Sequence, residues 1–242
     1  VEEGWIKHKV KRILQNRSKI YTCPSRAIAK YMNEKYAVKN KNIKVIRYGI
    51  DLKRFLSIKK IPKFDSPRLL IIGRLVQQKG HATALQALAH LKKYNWHLDI
   101  VGSGKENSSI KIMIKNLGLE DRITMHEATS DTPNAYKRSD IVLVPSNWEG
   151  LGMVVMEGMA SSRLVIGSKT GGIPEMIDNK KNGILVKAGS INDLYKQLIW
   201  SFENPKACSV LAKAAQDKAE IEFGMSPMIE KYEKIYEYYS ST

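Results

Sequence analysis

The 242-residue sequence predicts an α/β protein built on a doubly wound parallel sheet. Two observations carry that expectation. From Arg68 onward, strand-like apolar runs alternate steadily with helix-length segments. The loops richest in glycine and charge follow strand C-termini, which is where such a sheet binds ligands. No internal repeat and no low-complexity segment interrupts the pattern.

Taken in order, residues 5–15 read as a helix, with Ile6, Val10 and Ile13 on one face and Trp5 and Leu14 beside them. Lys7, Lys9, Lys11 and Arg12 cover the rest. Such a helix lies in a membrane interface, or it is a surface helix whose stripe packs on a neighbouring core. A strand over residues 19–23, a helix capped by Ser25 and running to Tyr36, and a strand over 43–48 follow. This βαβ unit is too small for a core of its own and reads as the tail of a larger domain. Residues 49–67 read as a linker with Phe55 as its one large apolar anchor.

Next come a strand at 68–72, the loop GRLVQQKG and a helix over 81–94. A strand at 96–101 leads through Gly102-Ser103-Gly104 to a helix at 108–116. Residues 122–126 and 140–144 are the third and fourth strands, separated by a short helix at 132–138. After the helix that begins at Met153, a fifth strand at 164–167 opens the loop TGGIPEMI. A short strand at 184–186 and helices at 191–203, 205–222 and 227–239 complete the chain.

The stretch EGLGMVVME, residues 149–157, organises the rest. It follows the strand DIVLV and the turn Pro145-Ser146-Asn147-Trp148, and it opens a helix. A strand, a glycine-bearing turn and a helix start leave backbone N–H groups free for an anion. Gly150 and Gly152 let the backbone approach that anion closely. The flanking carboxylates, Glu149 and Glu157, would repel a phosphate and suit hydroxyl groups instead. Phosphate between hydroxyls describes a nucleotide sugar.

Composition excludes other classes. No apolar run is long enough to span a bilayer, and the acidic start Val1-Glu2-Glu3-Gly4 is not a signal peptide. Two distant cysteines, Cys23 and Cys208, suit a reducing cytoplasm, and five scattered histidines argue against a zinc site. Residues 1–63 hold 18 Lys and Arg against 4 Asp and Glu, while the remainder is nearly balanced at 22 against 20. That cationic front implies an acidic partner or a solvated face.

In GRLVQQKG, Arg74 and Lys79 stand just beyond the first strand of the alternating region, placed to clamp a diphosphate and neutralise a leaving group. Taken singly, each reads equally as a surface cation. Gly102-Ser103-Gly104 lacks the third glycine of a dinucleotide fingerprint. Thr170-Gly171-Gly172 is a tight turn near the same rim.

From about Pro67 onward the chain resembles the donor-binding domain of the retaining glycosyltransferase family 4, of the two-domain GT-B fold. The matching pieces are GRLVQQKG, VGSG, PSNWEGLGMVVMEGMA, TGGIPEMI and NGILV, in the family's order and spacing. The resemblance implies a Rossmann-like half of a GT-B enzyme. It implies that Arg74 and Lys79 bind the donor diphosphate and that the backbone of Gly150, Leu151, Gly152, Met153 and Val154 meets the phosphates. Glu157 would bond the ribose hydroxyls, and Glu149 would hold the transferred sugar and stabilise charge at its anomeric carbon. Residues 126–129 are candidates for the base-facing wall. No metal and no cofactor are implied beyond the nucleoside-diphosphate sugar itself.

The front resembles only the end of the family's acceptor-binding domain, with Arg47 and Tyr48 where proline and asparagine are common. The expected division is therefore 1–62 as acceptor-domain tail and linker, 63–224 as donor-binding domain and 225–242 as a helix bracing the other domain. A valine start is consistent with a piece of a longer protein, inactive on its own because catalysis uses a cleft between two domains. Three readings stay open: a cytoplasmic glycosyltransferase or its donor half, a non-catalytic nucleotide-sugar-binding module paired with another chain, and a nucleic-acid binder. The last lacks a recognisable motif and a stacking platform. Expected partners are a nucleotide-sugar donor, a glycan or lipid-linked acceptor, the missing N-terminal domain and an anionic membrane surface, with no nucleic acid; the expected location is the cytoplasm, peripheral on the inner face of the cell membrane. Cell-envelope polysaccharide or glycolipid synthesis is the setting this implies.

Overall fold

The structure, a computed structural model, describes residues 20–58, 62–64 and 66–240. The expected helix at residues 5–15, with Lys7, Lys9, Lys11 and Arg12, lies outside the described residues.

The chain opens with β1 (Tyr21–Cys23), α1 (Arg26–Tyr36) and β2 (Ile43–Val45). β1 and β2 pair in parallel as a two-stranded sheet. Ser25 caps α1 with its hydroxyl, which accepts from the Ile28 N–H, and Ala37 ends the helix in the left-handed region. β2 stops at Val45, three residues short of the expected strand, as the chain turns away toward the body.

The expected linker holds structure of its own. α2 (Leu52–Leu56) turns within it and buries Phe55 edge-on against Tyr136, ring centroids 5.7 Å apart. Ile50, Ile58 and Phe64 are buried as well, so Phe55 is not the sole anchor. The segment is held down because its apolar residues join the two cores that flank the main sheet.

That sheet has six parallel strands in the order β5-β4-β3-β6-β7-β8. They are β3 (Arg68–Ile72), β4 (His97–Val101), β5 (Ile123–His126), β6 (Ile141–Val144), β7 (Leu164–Ser168) and β8 (Ile184–Val186). Between them run α3 (His81–Ala89), α4 (Asn107–Asn116), α5 (Thr132–Arg138) and α6 (Met153–Ala160). After β8 come α7 (Ile191–Glu203), α8 (Pro205–Glu222) and α9 (Met225–Ser240).

Alternate strand residues point to opposite faces, and each face is covered by helices. On one side Leu69, Ile71, Leu98 and Ile100 pack with Leu85 and Leu88 of α3, Ile110 of α4 and Leu198 of α7. On the other, Leu70, Ile72, Val142 and Val144 pack with Tyr136 of α5, Val155 and Met159 of α6 and Ala215 of α8. Parallel strands covered on both faces are near-continuous apolar runs, as β6 is. The fold class is as the sequence predicts.

α3 ends five residues before its expected limit. The chain turns at His90, and the Trp96 indole donates to the Leu91 carbonyl at 2.9 Å, which holds the turn closed. Asp140, expected as the first residue of its strand, lies just before β6. It is buried and accepts from the backbone N–H groups of Lys63 and Arg68 at 2.9 and 2.8 Å.

Candidate functional site

The strand order reverses between β3 and β6, so the chain leaves these two neighbours in opposite directions and opens a crevice at their C-terminal ends. A cleft of about 320 Å³ lies there, lined by Ile72, Gly73 and Arg74 after β3 and by Val101, Gly102 and Ser103 after β4. Ala128, Thr129 and Thr132 close one side, and Val154 and Glu157 of α6 the other.

The loop after β6 is fastened before it reaches α6. Asn147 donates its backbone N–H to the Gln78 carbonyl and its side-chain amide to the Gln77 carbonyl, at 2.8 and 2.7 Å. This ties it to the turn that carries Lys79. Lys79 Nζ then meets Glu149 Oε2 at 2.6 Å, with both side chains largely buried. Ser146 Oγ donates to the same oxygen at 3.3 Å, and the Gly150 N–H to Glu149 Oε1 at 3.2 Å. One carboxylate thus accepts from a cation, a hydroxyl and a backbone amide. The Lys79 side chain also passes beside Gly73, so the pair adjoins the cleft.

Gly171 packs directly against this loop. Its φ is +54°, and a Cβ there would sit 1.7 Å from the Glu149 carbonyl oxygen, so only glycine fits. The expected tight turn is thereby the backing of the Glu149 loop. Gly172 adds a backbone bond from its N–H to the Gly150 carbonyl at 3.1 Å.

α6 starts from Gly152 at φ +93° with no side-chain cap. Among the described residues, the backbone N–H groups of Leu151, Gly152, Met153 and Val154 make no hydrogen bond. Four unpaired donors at the positive end of a helix suit an anion. Gly150 differs from its four successors, because its N–H and carbonyl are both satisfied within the protein.

Glu157 lies one turn into α6. The buried Tyr136 hydroxyl donates to its Oε2 at 2.7 Å. Burial raises the Glu157 pKa, while the Tyr136 bond and the Arg54 charge oppose that rise. Arg74 is exposed at the cleft rim, where its Nη2 donates to Gln78 Oε1 at 3.3 Å. Of residues 126–129, Ala128 and Thr129 line the cleft, whereas the His126 ring turns to Asp99 Oδ1 at 2.8 Å.

Four residues of the site have roles there that the sequence does not signal. Tyr136 and Ser146 position the two glutamates, and Ser25 reaches the Gly150 carbonyl at 2.8 Å. His81, the first residue of α3, is 1% exposed, and neither ring nitrogen has a partner among the described residues. Burial, then the Lys79 charge, lowers its pKa to about 4. Among the described residues, no three His, Cys, Asp or Glu side chains are grouped to hold a metal ion. No helix among them is long and apolar enough to cross a membrane.

The doubly wound parallel sheet with helices on both faces is the arrangement of one half of a GT-B glycosyltransferase fold. Residues 53–218 match the family described as glycosyl transferases group 1, and the chain belongs to that family. It is 31% identical over 179 residues to an uncharacterized glycosyltransferase of Haemophilus influenzae, a match covering 73% of this chain and 50% of that protein. It is 28% identical over 174 residues to N-acetyl-alpha-D-glucosaminyl L-malate synthase of Bacillus anthracis, covering 71% of this chain and 46% of that one. The chain spans about half the length of the curated relatives it matches.

Among solved structures, Anabaena Alr3699/HepE in complex with UDP and glucose superposes with a TM-score of 0.85 at 23% identity, covering 97% of this chain and 67% of that one. A glycosyltransferase from Rickettsia africae superposes with a TM-score of 0.84 at 24% identity, covering 94% and 66%. These likenesses bear on the fold.

Proposed function

We propose that this chain is the donor-binding half of a retaining, family 4 glycosyltransferase that moves a sugar from a nucleoside diphosphate to a glycan or lipid-linked acceptor. The observation that carries the reading is the set of four unpaired N–H groups at Leu151, Gly152, Met153 and Val154, with the Lys79–Glu149 pair on one side and Glu157 on the other. The N–H groups and helix dipole receive the diphosphate, aided by Arg74 at the rim and by Lys79. Glu157 accepts from the ribose hydroxyls. Glu149 faces the transferred sugar and stabilises positive charge as its bond to the diphosphate breaks. Positive groups of the protein supply the field, so no metal takes part in this reading.

The division proposed is residues 1–62 as the end of an acceptor-binding domain, 63–224 as the donor domain and 225–242 as the bracing helix. The cationic front fits work at an anionic membrane face in cell-envelope polysaccharide or glycolipid synthesis. Titration calorimetry with UDP, GDP and ADP in the presence of EDTA tests the reading. Binding of at least one is expected; absence of all three, or binding that EDTA abolishes, overturns it.

A further inference from the structure

The front βαβ unit touches the main body at an informative place. α1 points its N-terminus at the loop that carries Glu149. Ser25, its cap, is fully buried, and its hydroxyl makes two bonds. A lone pair accepts from the Ile28 N–H at 3.2 Å, which is the ordinary capping bond. The single hydroxyl proton goes elsewhere, to the Gly150 carbonyl at 2.8 Å, 125 residues away. Next to it the Ala27 N–H donates to Glu175 Oε1 at 3.1 Å, so a carboxylate from the loop behind Glu149 sits on the same helix end.

The Gly150 carbonyl therefore has two donors, Ser25 Oγ and the Gly172 N–H. A peptide unit is planar and trans, so fixing this carbonyl fixes the Leu151 N–H on the opposite side of the same unit. The Leu151 N–H is the first of the four unpaired donors. A serine in the front unit thus sets the direction of a donor in the anion site.

We propose that Ser25 is a positioning residue for diphosphate binding, acting through the Gly150–Leu151 peptide, with Glu175 holding α1 in place for it. The inference rests on the donor-site reading above. Its consequence is that displacement of the front unit, relative to the sheet, loosens the site: what happens on the acceptor side is felt by the donor.

Capping and positioning are separable, because they use different parts of the hydroxyl. Threonine keeps both the lone pair and the proton. Aspartate keeps a capping oxygen but has no proton to donate at neutral pH. Alanine keeps neither. The measurements are calorimetric affinity for nucleoside diphosphate, thermal stability, and amide hydrogen exchange at Gly150 and Gly172, the bonded amides of this loop, in the protein alone.

Ser25→Thr is expected to match the wild type. Ser25→Ala and Ser25→Asp are expected to bind nucleoside diphosphate about fivefold more weakly, the loss of roughly one hydrogen bond, and to exchange faster at Gly150 and Gly172. Ser25→Asp is expected to recover thermal stability relative to Ser25→Ala without recovering affinity. If Ser25→Asp binds as the wild type does, the serine is only a helix cap and the proposal fails. If aspartate does not fold in this buried place, the alanine and threonine pair decides: equal affinity, or unchanged exchange in Ser25→Ala, overturns it. Should the wild type bind no nucleoside diphosphate, the donor reading fails, and the exchange rates alone judge the role of Ser25 in holding the loop.

Discussion

Lys79 and Glu149 stand 70 residues apart in the chain, and their charged ends meet at 2.6 Å. Resemblance assigns one to the diphosphate and the other to the sugar. In the structure each is the other's counter-ion, at 17% and 10% side-chain exposure. On the proposed reading, the cation that would meet the diphosphate and the carboxylate that would face the anomeric carbon are held together by their own attraction.

Removing one partner leaves a largely buried charge without compensation. Lys79→Met is expected to cost about 3 kcal/mol of stability in urea unfolding, and the double variant Lys79→Met/Glu149→Gln to cost clearly less than the two single changes added. Additive losses would show that the pair is not coupled.

Tyr136 and Glu157 give a pH prediction. Burial raises the Glu157 pKa above its ordinary 4.5, and the Tyr136 hydroxyl bond holds it down. A protonated carboxyl accepts poorly from hydroxyl groups, so if Glu157 takes the ribose as proposed, nucleoside diphosphate affinity is expected to fall as pH drops through the raised value. Tyr136→Phe removes the restraining bond, and the fall moves to higher pH. A midpoint that stays in place, or moves down, contradicts the arrangement.

His81 gives a separate one. Its folded pKa of about 4 lies below the ordinary 6.5, so the unfolded chain takes a proton that the folded ring refuses. The contribution of this ring is whole above pH 6.5 and is lost as pH falls toward 4. The full loss is about 3 kcal/mol. Urea unfolding of the wild type and His81→Leu at pH 7 and pH 4.5 is expected to show a shallower acid loss in the variant. Equal loss in both would mean the ring is not buried neutral.

The large sheet is legible in the sequence because a parallel strand covered on both faces is a plain apolar run, as in Ile141–Val144. The site's loops are legible for a related reason: doubly wound sheets place them at one edge, so GRLVQQKG and EGLG meet whatever the details. α2 is not legible. It has five residues, and what holds it is Phe55 packing on Tyr136, a contact across the chain that leaves no period in the sequence. Tyr136 itself reads as one aromatic on a short helix, and its bond to Glu157 depends on how α5 lies over α6. Ser25 is legible as a cap, because that bond is local. Its second bond, to Gly150, is not.

Glu149 and Glu157 are assigned different work in the proposed function, and one titration separates them directly. Nucleoside diphosphate and the intact nucleotide sugar are each titrated into the wild type, Glu149→Gln and Glu157→Gln by calorimetry. Glu157→Gln is expected to weaken the bare diphosphate by about 1–3 kcal/mol, the worth of a charged hydrogen bond. Glu149→Gln should leave the bare diphosphate almost unchanged and weaken the nucleotide sugar. Equal effects of the two changes on the bare diphosphate would contradict the assignment.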